Sequence, residues 1–315
     1  MTKVAVLRDI VKKETKLIIN ELKERGVDFD SVDIRKTSFV SGDFSWPYNV
    51  TVERCQSHIQ AENTLRILNL AGYKTVNTAA VARICGDKSE TSFVLAVHNI
   101  PQPRFGIAYS KEETLAVMHE IGYPVVLKPI LGSWGRNVNK IENEEEAVGK
   151  LNGNLGKDLA LFIKDINDEE EVIRILNGYS IRDLRNQKIF YIQEHIDKSF
   201  EYDGETYNRD IRAFNFGGKT ICAIYRVSKN FITNTAMGGM AINCPLNDKL
   251  EEICNKAAES VGFGILALDL FETEKGKKYL VNEINYTPEF RNSIKPTGVD
   301  ITKEYVDYVL KVAEI

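Results

Sequence analysis

Apolar residues open the chain in short runs. KVAVLRD (3–9) has the pattern of a buried strand broken by Arg8 and Asp9, and VKKETKLIINELKERG then places Leu17, Ile18 and Leu22 on one helical stripe with Gly26 as its stop. VDFDSVDI and YNVTVER read as strands, and QAENTLRILNLAGYKTVN as a helix running into another. This βαβ rhythm over about the first 85 residues predicts a small doubly wound lobe. GDKSETSFVLAVHNI reads as a helix opening after Gly86 and closed by Pro101 and Pro103. A domain boundary follows near 88–103, giving an N-terminal domain of 1–88.

Farther on, RFGIAYS reads as a strand, Ser110 and Glu113 form the S-x-x-E capping box of a helix to Ile121, and YPVVLKPI returns as a strand. Asn143 with EEEAVGKL predicts a short helix. Residues 152–187 carry two local apolar patterns without a motif and read as an insertion in a central domain of 89–190. The C-terminal domain, 191–315, begins near the strand KIFYIQEHI and contains DIRAFNF and KTICAIYRV, a hairpin about Gly217 and Gly218. DKLEEICNKAAESVGFG places Leu250, Ile253, Cys254, Ala257 and Ala258 along one side of a helix stopped by Gly262. GILALDLFETEKGKKYLVNEIN reads as two antiparallel strands joined at Glu274–Lys277.

Composition narrows the class. With 315 residues, 43% hydrophobic, 27% charged and 9% aromatic, the chain suits a multi-subdomain globular enzyme. A net charge of −4 speaks against general nucleic-acid binding. There is no run of about 18 apolar residues for a membrane span, and the start lacks a secretion signal's apolar core, so a cytoplasmic location is expected. The five cysteines form no C-x-x-C pair, and the histidines have no metal-ligand spacing.

The chemistry gathers near the end. Asp269 lies in the apolar strand ILALDLF, while Glu283 and Asn285 sit two apart on YLVNEIN and share a face. Paired as a hairpin, they offer three oxygen ligands of the kind Mg²⁺ selects. The alternative is a hairpin whose carboxylates face solvent or pair with lysines; the apolar setting of Asp269 weighs against it, because burying an unpaired carboxylate is costly. Lys128 ends an apolar strand, as a phosphate-neutralising cation or a snorkelling surface lysine. GSWGR (132–136) offers backbone N–H groups with Arg136 adding charge, but matches neither the Walker nor the G-x-G-x-x-G pattern. Lys88 stands near a helix start. In RDIR, Asp210 and Arg212 share a face as an ion pair, or else the arginine is aimed at phosphate; Arg226 closes the following strand, and Asn234 lies in TNTAMGG.

The order strand-Lys, Gly loop, Q-E hinge, R-D-I-R, then D…N-E-x-N resembles the ATP-grasp superfamily across roughly residues 85–290. ICGDK, LKPILGSWGR, YIQEHI, RDIRAF, ITNTAMGG and VNEINYTPEFRNS resemble its RimK/LysX branch. The resemblance implies an α/β fold with α+β elements, three subdomains, and ATP between the central and C-terminal ones. It implies nucleotide contacts at Lys88, Lys128, Gly132, Ser133, Trp134, Gly135, Arg136, Gln193, Glu194, His195, Ile196, Arg212 and Asn234. Arg212, Lys128 and Arg226 would be catalytic, and Mg²⁺ would be held by Asp269, Glu283 and Asn285. Such ligases phosphorylate a carboxylate with ATP and let an amine attack the acyl phosphate, by positioning and electrostatics.

LysX-type enzymes resemble the chain best. They join the α-amino group of 2-aminoadipate to the C-terminal glutamate of the acidic carrier LysW; ArgX enzymes use glutamate. In that family Asn followed by Ser or Thr after E-F-[KR] goes with aminoadipate, and Gly-Phe with glutamate. Here Asn292 and Ser293 follow Glu289-Phe290-Arg291, which implies aminoadipate, the alternatives being glutamate or dual use, a RimK-like glutamyl ligase on another acceptor, or a non-catalytic ATP-binding regulator. The resemblance also implies a homo-oligomer. The 152–187 segment, DKSFEYDGETYN before RDIR, and Met237 in place of an expected arginine depart from the branch.

Overall fold

The computed structural model describes residues 2–42, 44–130, 138–152, 189–233, 238–274 and 278–314. Contacts divide the chain into two compact units, Met1–Gln102 with Lys198–Ile315, and Pro103–Asp197.

The larger unit opens with β1 (Lys3–Arg8), α1 (Lys13–Glu24), β2 (Asp28–Asp33), β3 (Val50–Glu53), α2 (His58–Leu70) and β4 (Thr75–Val76). The strands form a parallel sheet ordered β2-β1-β3-β4. This is the doubly wound lobe that the alternating pattern predicts. Its strand order reverses between β1 and β3, the position at which open parallel sheets take their ligands. Two helices follow, α3 (Ala79–Gly86), which the sequence reading passed over, and α4 (Lys88–Val97). Asp87 caps α4 by accepting from the backbone N–H groups of Ser89 and Glu90, so Lys88 is its first residue.

The smaller unit contains β5 (Phe105–Ala108), α5 (Lys111–Ile121), β6 (Val125–Lys128), β7 (Asn139–Ile141), α6 (Glu144–Asn152) and β8 (Phe190–Glu194). Its antiparallel sheet is ordered β5-β8-β6-β7. The backbone N–H of Glu113 donates to Ser110 Oγ at 3.1 Å, which is the capping bond expected at the start of α5. Val125, Leu127, Ile141 and Ile192 point to a core shared with Met118, Ala147 and Leu151 of the helices. Residues of opposite parity, Val126, Lys128, Tyr191 and Gln193, therefore lie on the other face.

The larger unit resumes with β9 (Ser199–Tyr202), β10 (Glu205–Phe216), β11 (Lys219–Ser228), β12 (Met240–Cys244), α7 (Asp248–Ser260), β13 (Ile265–Thr273), β14 (Lys278–Asn285), α8 (Arg291–Thr297) and α9 (Ile301–Glu314). The sheet runs β12-β11-β10-β13-β14, with β9 also paired to β10. DKSFEYDGETYN, which departs from the branch pattern, thus becomes the β9-β10 hairpin. One face, with Ile211, Ala213, Leu268, Leu270 and Ile284, packs on α7 through Leu250, Cys254, Ala257 and Ala258.

The opposite face changes character along its length. Phe214, Phe216, Cys222, Ile265 and Ala267 are covered by α9 through Tyr305, Val306 and Val309, in a core that also includes Val4, Val6, Val50 and Val52 of the parallel sheet. Beyond Phe214 the same face turns charged. Asn77 ties the two sheets together: its Nδ2 donates to the Ile265 carbonyl at 2.9 Å and its Oδ1 accepts the Ile265 N–H at 2.6 Å. Gly264, at φ +129°, makes that approach possible, because a Cβ there would fall on Asn77 Oδ1.

Candidate active site

The charged row is built by cross-strand register. On β10, Arg212 stands opposite Asp269 of β13, and Asp269 stands opposite Glu283 of β14. A bulge after Asp269 leaves Asn282 as an extra residue on β14, and Asn285 keeps the parity of Glu283. The hairpin anticipated from spacing therefore does bring Asp269, Glu283 and Asn285 together, with Asn285 Nδ2 at 3.5 Å from Asp269 Oδ2.

Asp269 is 5% exposed and fully engaged. Arg212 grips it with two parallel bonds, Nε to Oδ1 and Nη2 to Oδ2, both 2.8 Å. Arg226 Nη1 reaches Oδ2 at 3.1 Å. Burial pushes the Asp269 carboxyl up, but the Arg212 and Arg226 guanidiniums more than offset this and hold it below its ordinary value. For Asp269 the solvent-facing alternative is thereby excluded. Glu283 is half-buried, with Lys88 Nζ 3.9 Å from its Oε1.

Of the two readings of RDIR, the ion pair of Asp210 with Arg212 is not what forms. Asp210 lies directly across from Arg226 on β11, and that arginine donates Nε and Nη2 to its two oxygens at 2.7 and 2.8 Å. Asp210 also accepts from Thr233 Oγ1 at 2.5 Å and has Lys198 Nζ at 3.6 Å. Arg226, 2% exposed, thus bridges two buried carboxylates. Burial opposes its charge, yet Asp210 and Asp269 raise its pKa beyond that of free arginine.

Lys198 was missed in the sequence. Burial lowers its pKa, partly countered by Asp210, and its ammonium lies 5.0 Å from the Phe231 ring and 5.7 Å from the Phe271 ring. Its partners lie far along the chain, so no local motif could have marked it. Lys88, Lys198, Arg212 and Arg226 against Asp210, Asp269 and Glu283 leave one positive charge in excess. Of these cations Lys88 and Arg212 keep the most exposure, and each is of a type suited to phosphate.

In the smaller unit, Lys128 Nζ donates to Gln193 Oε1 at 2.6 Å, and Gln193 Nε2 donates to Tyr191 Oη at 3.2 Å. Lys128 is therefore held by a partner rather than snorkelling freely. Glu194 accepts the Arg104 N–H at 3.0 Å, and the His195 N–H donates to the Pro124 carbonyl at 3.3 Å. Ile196 follows β8. Gly132, Ser133, Trp134, Gly135, Arg136, Asn234, Met237 and residues 153–187 lie outside the described residues. Asn292 is exposed at the start of α8, and Ser293 is 2% exposed, its N–H donating to the Phe290 carbonyl at 2.9 Å.

Among the described residues no group of three or more His, Cys, Asp or Glu side chains is placed to hold a metal, and no helix is long and apolar enough to cross a membrane. The Asp269–Glu283–Asn285 set has two carboxylates and an amide. Its oxygens are hard donors that suit Mg²⁺.

A LysX preATP-grasp domain model matches residues 4–84, and a RimK-like ATP-grasp domain model matches 85–178 and 166–309. The chain belongs to the RimK-like ATP-grasp family. It is an ATP-dependent carbon–nitrogen ligase of the ADP-forming kind. The alpha-aminoadipate–LysW ligase LysX of Saccharolobus solfataricus is 31% identical over 92% of this chain and 94% of its own length. The glutamate–LysW ligase ArgX of Sulfurisphaera tokodaii is 30% identical over 98% of each. A RimK domain ATP-grasp protein from Sphaerobacter thermophilus superposes with a TM-score of 0.68 at 21% identity, covering 98% of this chain and 100% of that one. The ATP-grasp fold is shared.

Proposed function

We propose that this ligase joins 2-aminoadipate, through its α-amino group, to the C-terminal glutamate of a LysW carrier. The observation that carries the reading is Asn292-Ser293 at the head of α8, in a chain about equally similar to LysX and ArgX relatives. The pair follows the branch pattern associated with aminoadipate, and α8 begins a few residues beyond the Glu283–Asn285 segment.

Asp269, Glu283 and Asn285 would hold Mg²⁺. When bound, the metal neutralises nucleotide phosphate charge. Asp269 is already oriented for this by Arg212 and Arg226, and Glu283 by its cross-strand position. Arg212 and Lys88 are the cations nearest those carboxylates, and each can turn to a phosphate oxygen as negative charge develops. Arg226, gripped by Asp210, stays in place and keeps Asp269 ionised. Lys128, held by Gln193, supplies the phosphate-directed cation of the smaller unit. The carrier carboxylate would take phosphate from ATP, and the amine of the amino acid would then displace it.

The test incubates enzyme, ATP, Mg²⁺ and LysW with 2-aminoadipate or with glutamate and reads the carrier by intact mass. A mass gain with aminoadipate in preference to glutamate is expected. A gain with glutamate alone makes the protein an ArgX-type ligase, and no gain with either removes the carrier reading.

A further inference from the structure

Lys198 enters the charged row from outside the strands that build it. It is the first residue of the larger unit as the chain returns from the smaller one. Its carbonyl accepts the Arg209 N–H at 3.0 Å just before β9, so the β9–β10 hairpin fixes where this lysine stands. The side chain, 8% exposed, runs inward past the Phe231 and Phe271 rings to the carboxylate of Asp210.

As a stabilising ion pair the arrangement is poor. Asp210 is already gripped by two nitrogens of Arg226, and Lys198 Nζ stops 3.6 Å from its Oδ2. Burial disfavours the ammonium, and the Arg226 guanidinium repels it. Lys198, Arg212 and Arg226 set three cations against the two buried carboxylates Asp210 and Asp269. An apolar side chain of similar length would leave Asp210 compensated by Arg226, and exchanging buried charge for hydrophobic contact is often neutral or stabilising.

The hydrogen bond of Lys198 gives the ammonium a different task. Among the described residues that bond goes to Thr233 Oγ1 at 3.3 Å. Thr233 is 2% exposed, and its hydroxyl donates to Asp210 Oδ2 at 2.5 Å. A hydroxyl has one proton; spent on Asp210, it leaves lone pairs for a donor, and Lys198 is that donor. The contacts at Phe231 and Thr233 tie the chain after β11 back to β10. From Asp210 the line continues through Arg226, whose Nη1 reaches Asp269 Oδ2 at 3.1 Å.

We propose that Lys198 is a positioning residue for the nucleotide site: by holding the Thr233 hydroxyl on Asp210 it fixes Arg226, and through Arg226 the Asp269 carboxylate. Lys198 itself stays behind the row and touches no ligand. The inference rests on the reading of Asp269 as a Mg²⁺ ligand, and is independent of which amino acid or carrier the ligase uses.

The experiment measures binding of a non-hydrolysable ATP analogue at saturating Mg²⁺ by calorimetry, together with the urea midpoint. Lys198→Met is expected to keep or raise the midpoint and to weaken analogue binding by roughly 10-fold, the effect of one hydrogen bond from a charged group. Thr233→Val removes the hydroxyl but no charge, and is expected to weaken binding to a similar extent. The double variant should bind no worse than Lys198→Met, because both substitutions cut one link. Analogue affinity in Lys198→Met within about twofold of wild type overturns the proposal, as does a fall in its midpoint alongside its affinity. Full affinity in Thr233→Val also overturns it, by reducing the effect of Lys198 to charge alone, and so do losses that add in the double variant. Asp269→Asn is the reference: wild-type binding there discards the metal reading and this role with it, whereas loss in Asp269→Asn alone discards only the role of Lys198.

Discussion

Two buried charge clusters, one in the antiparallel sheet of the larger unit and one at the ends of β1 and β3, are finished to different degrees. In the row on β10, β11, β13 and β14, both Asp210 and Asp269 are gripped by guanidinium forks, and Arg226 bridges them. At the ends of β1 and β3, Glu53 and Arg54 are as deeply buried and keep unpartnered atoms. A completed network is architecture as much as chemistry: it fixes side chains before any ligand arrives. An incomplete one is a strained place in the free protein that a ligand or a proton can relieve.

The largest effect expected from breaking this contrast is at Asp269. Removing it by Asp269→Ala leaves Arg212 without its carboxylate and Arg226 with Asp210 alone, and breaking a buried pair costs about 3–5 kcal/mol. Glu283→Ala removes a half-buried carboxylate whose nearest cation, Lys88, is 3.9 Å away, and should cost under about 1 kcal/mol. Both substitutions should abolish acceptor-dependent ADP release. Urea denaturation separates them, and an Asp269→Ala protein as stable as Glu283→Ala would refute the completed-network picture. Spacing alone suggests that both variants keep the fold; burial restricts that to Glu283.

That difference marks where the sequence was legible. The alternation in ILALDLF and YLVNEIN was enough to pair β13 with β14 and to set Asp269 against Glu283, because period-two patterns report faces directly. The βαβ rhythm likewise located β1 to β4. What stayed hidden was which arginine meets which aspartate. Asp210 and Arg212 share a face two residues apart, but the closer partner of each is across the sheet, on β11 and β13, and register over that distance has no local signature. Lys198 and Glu53 carry no motif for the same reason: their significance is burial among residues remote in the chain. Helices α8 and α9 were passed over as well, although α9 seals the core between the two sheets of the larger unit.

The next effect tests the unfinished cluster. Burial pushes the Glu53 carboxyl up to about 7, although Arg54 and the Cys55 N–H pull the other way. A folded-state value above the unfolded one means that the native protein binds the extra proton. The stabilising contribution of Glu53 is complete below its unfolded value near 4.5 and is lost as pH rises through about 7. Glu53→Gln removes that dependence. Its stability relative to wild type should therefore climb between pH 5 and pH 8, by up to roughly 3 kcal/mol for a shift of this size. Chemical denaturation at the two pH values measures it, and a constant difference would mean that Glu53 is ionised in the fold across this range.

The smallest effect concerns selectivity at the head of α8, next to the unfinished cluster. Replacing Asn292-Ser293 by Gly-Phe should move the ratio of kcat/KM for aminoadipate and glutamate towards glutamate by about 10-fold, since one methylene is worth only about 1–3 kcal/mol. The two positions do not contribute alike. Asn292 is exposed and can be trimmed without disturbing the fold, whereas Ser293 is 2% exposed, and its carbonyl accepts the Thr297 hydroxyl at 2.7 Å. A phenylalanine there must displace the first turn of α8, and with it the segment that Arg54 holds at Pro288. Asn292→Gly alone should therefore change selectivity little, and the double substitution should change it through that displacement. Equal shifts from Asn292→Gly and from the double variant would place the discrimination at the exposed residue and detach it from the Glu53–Arg54 cluster.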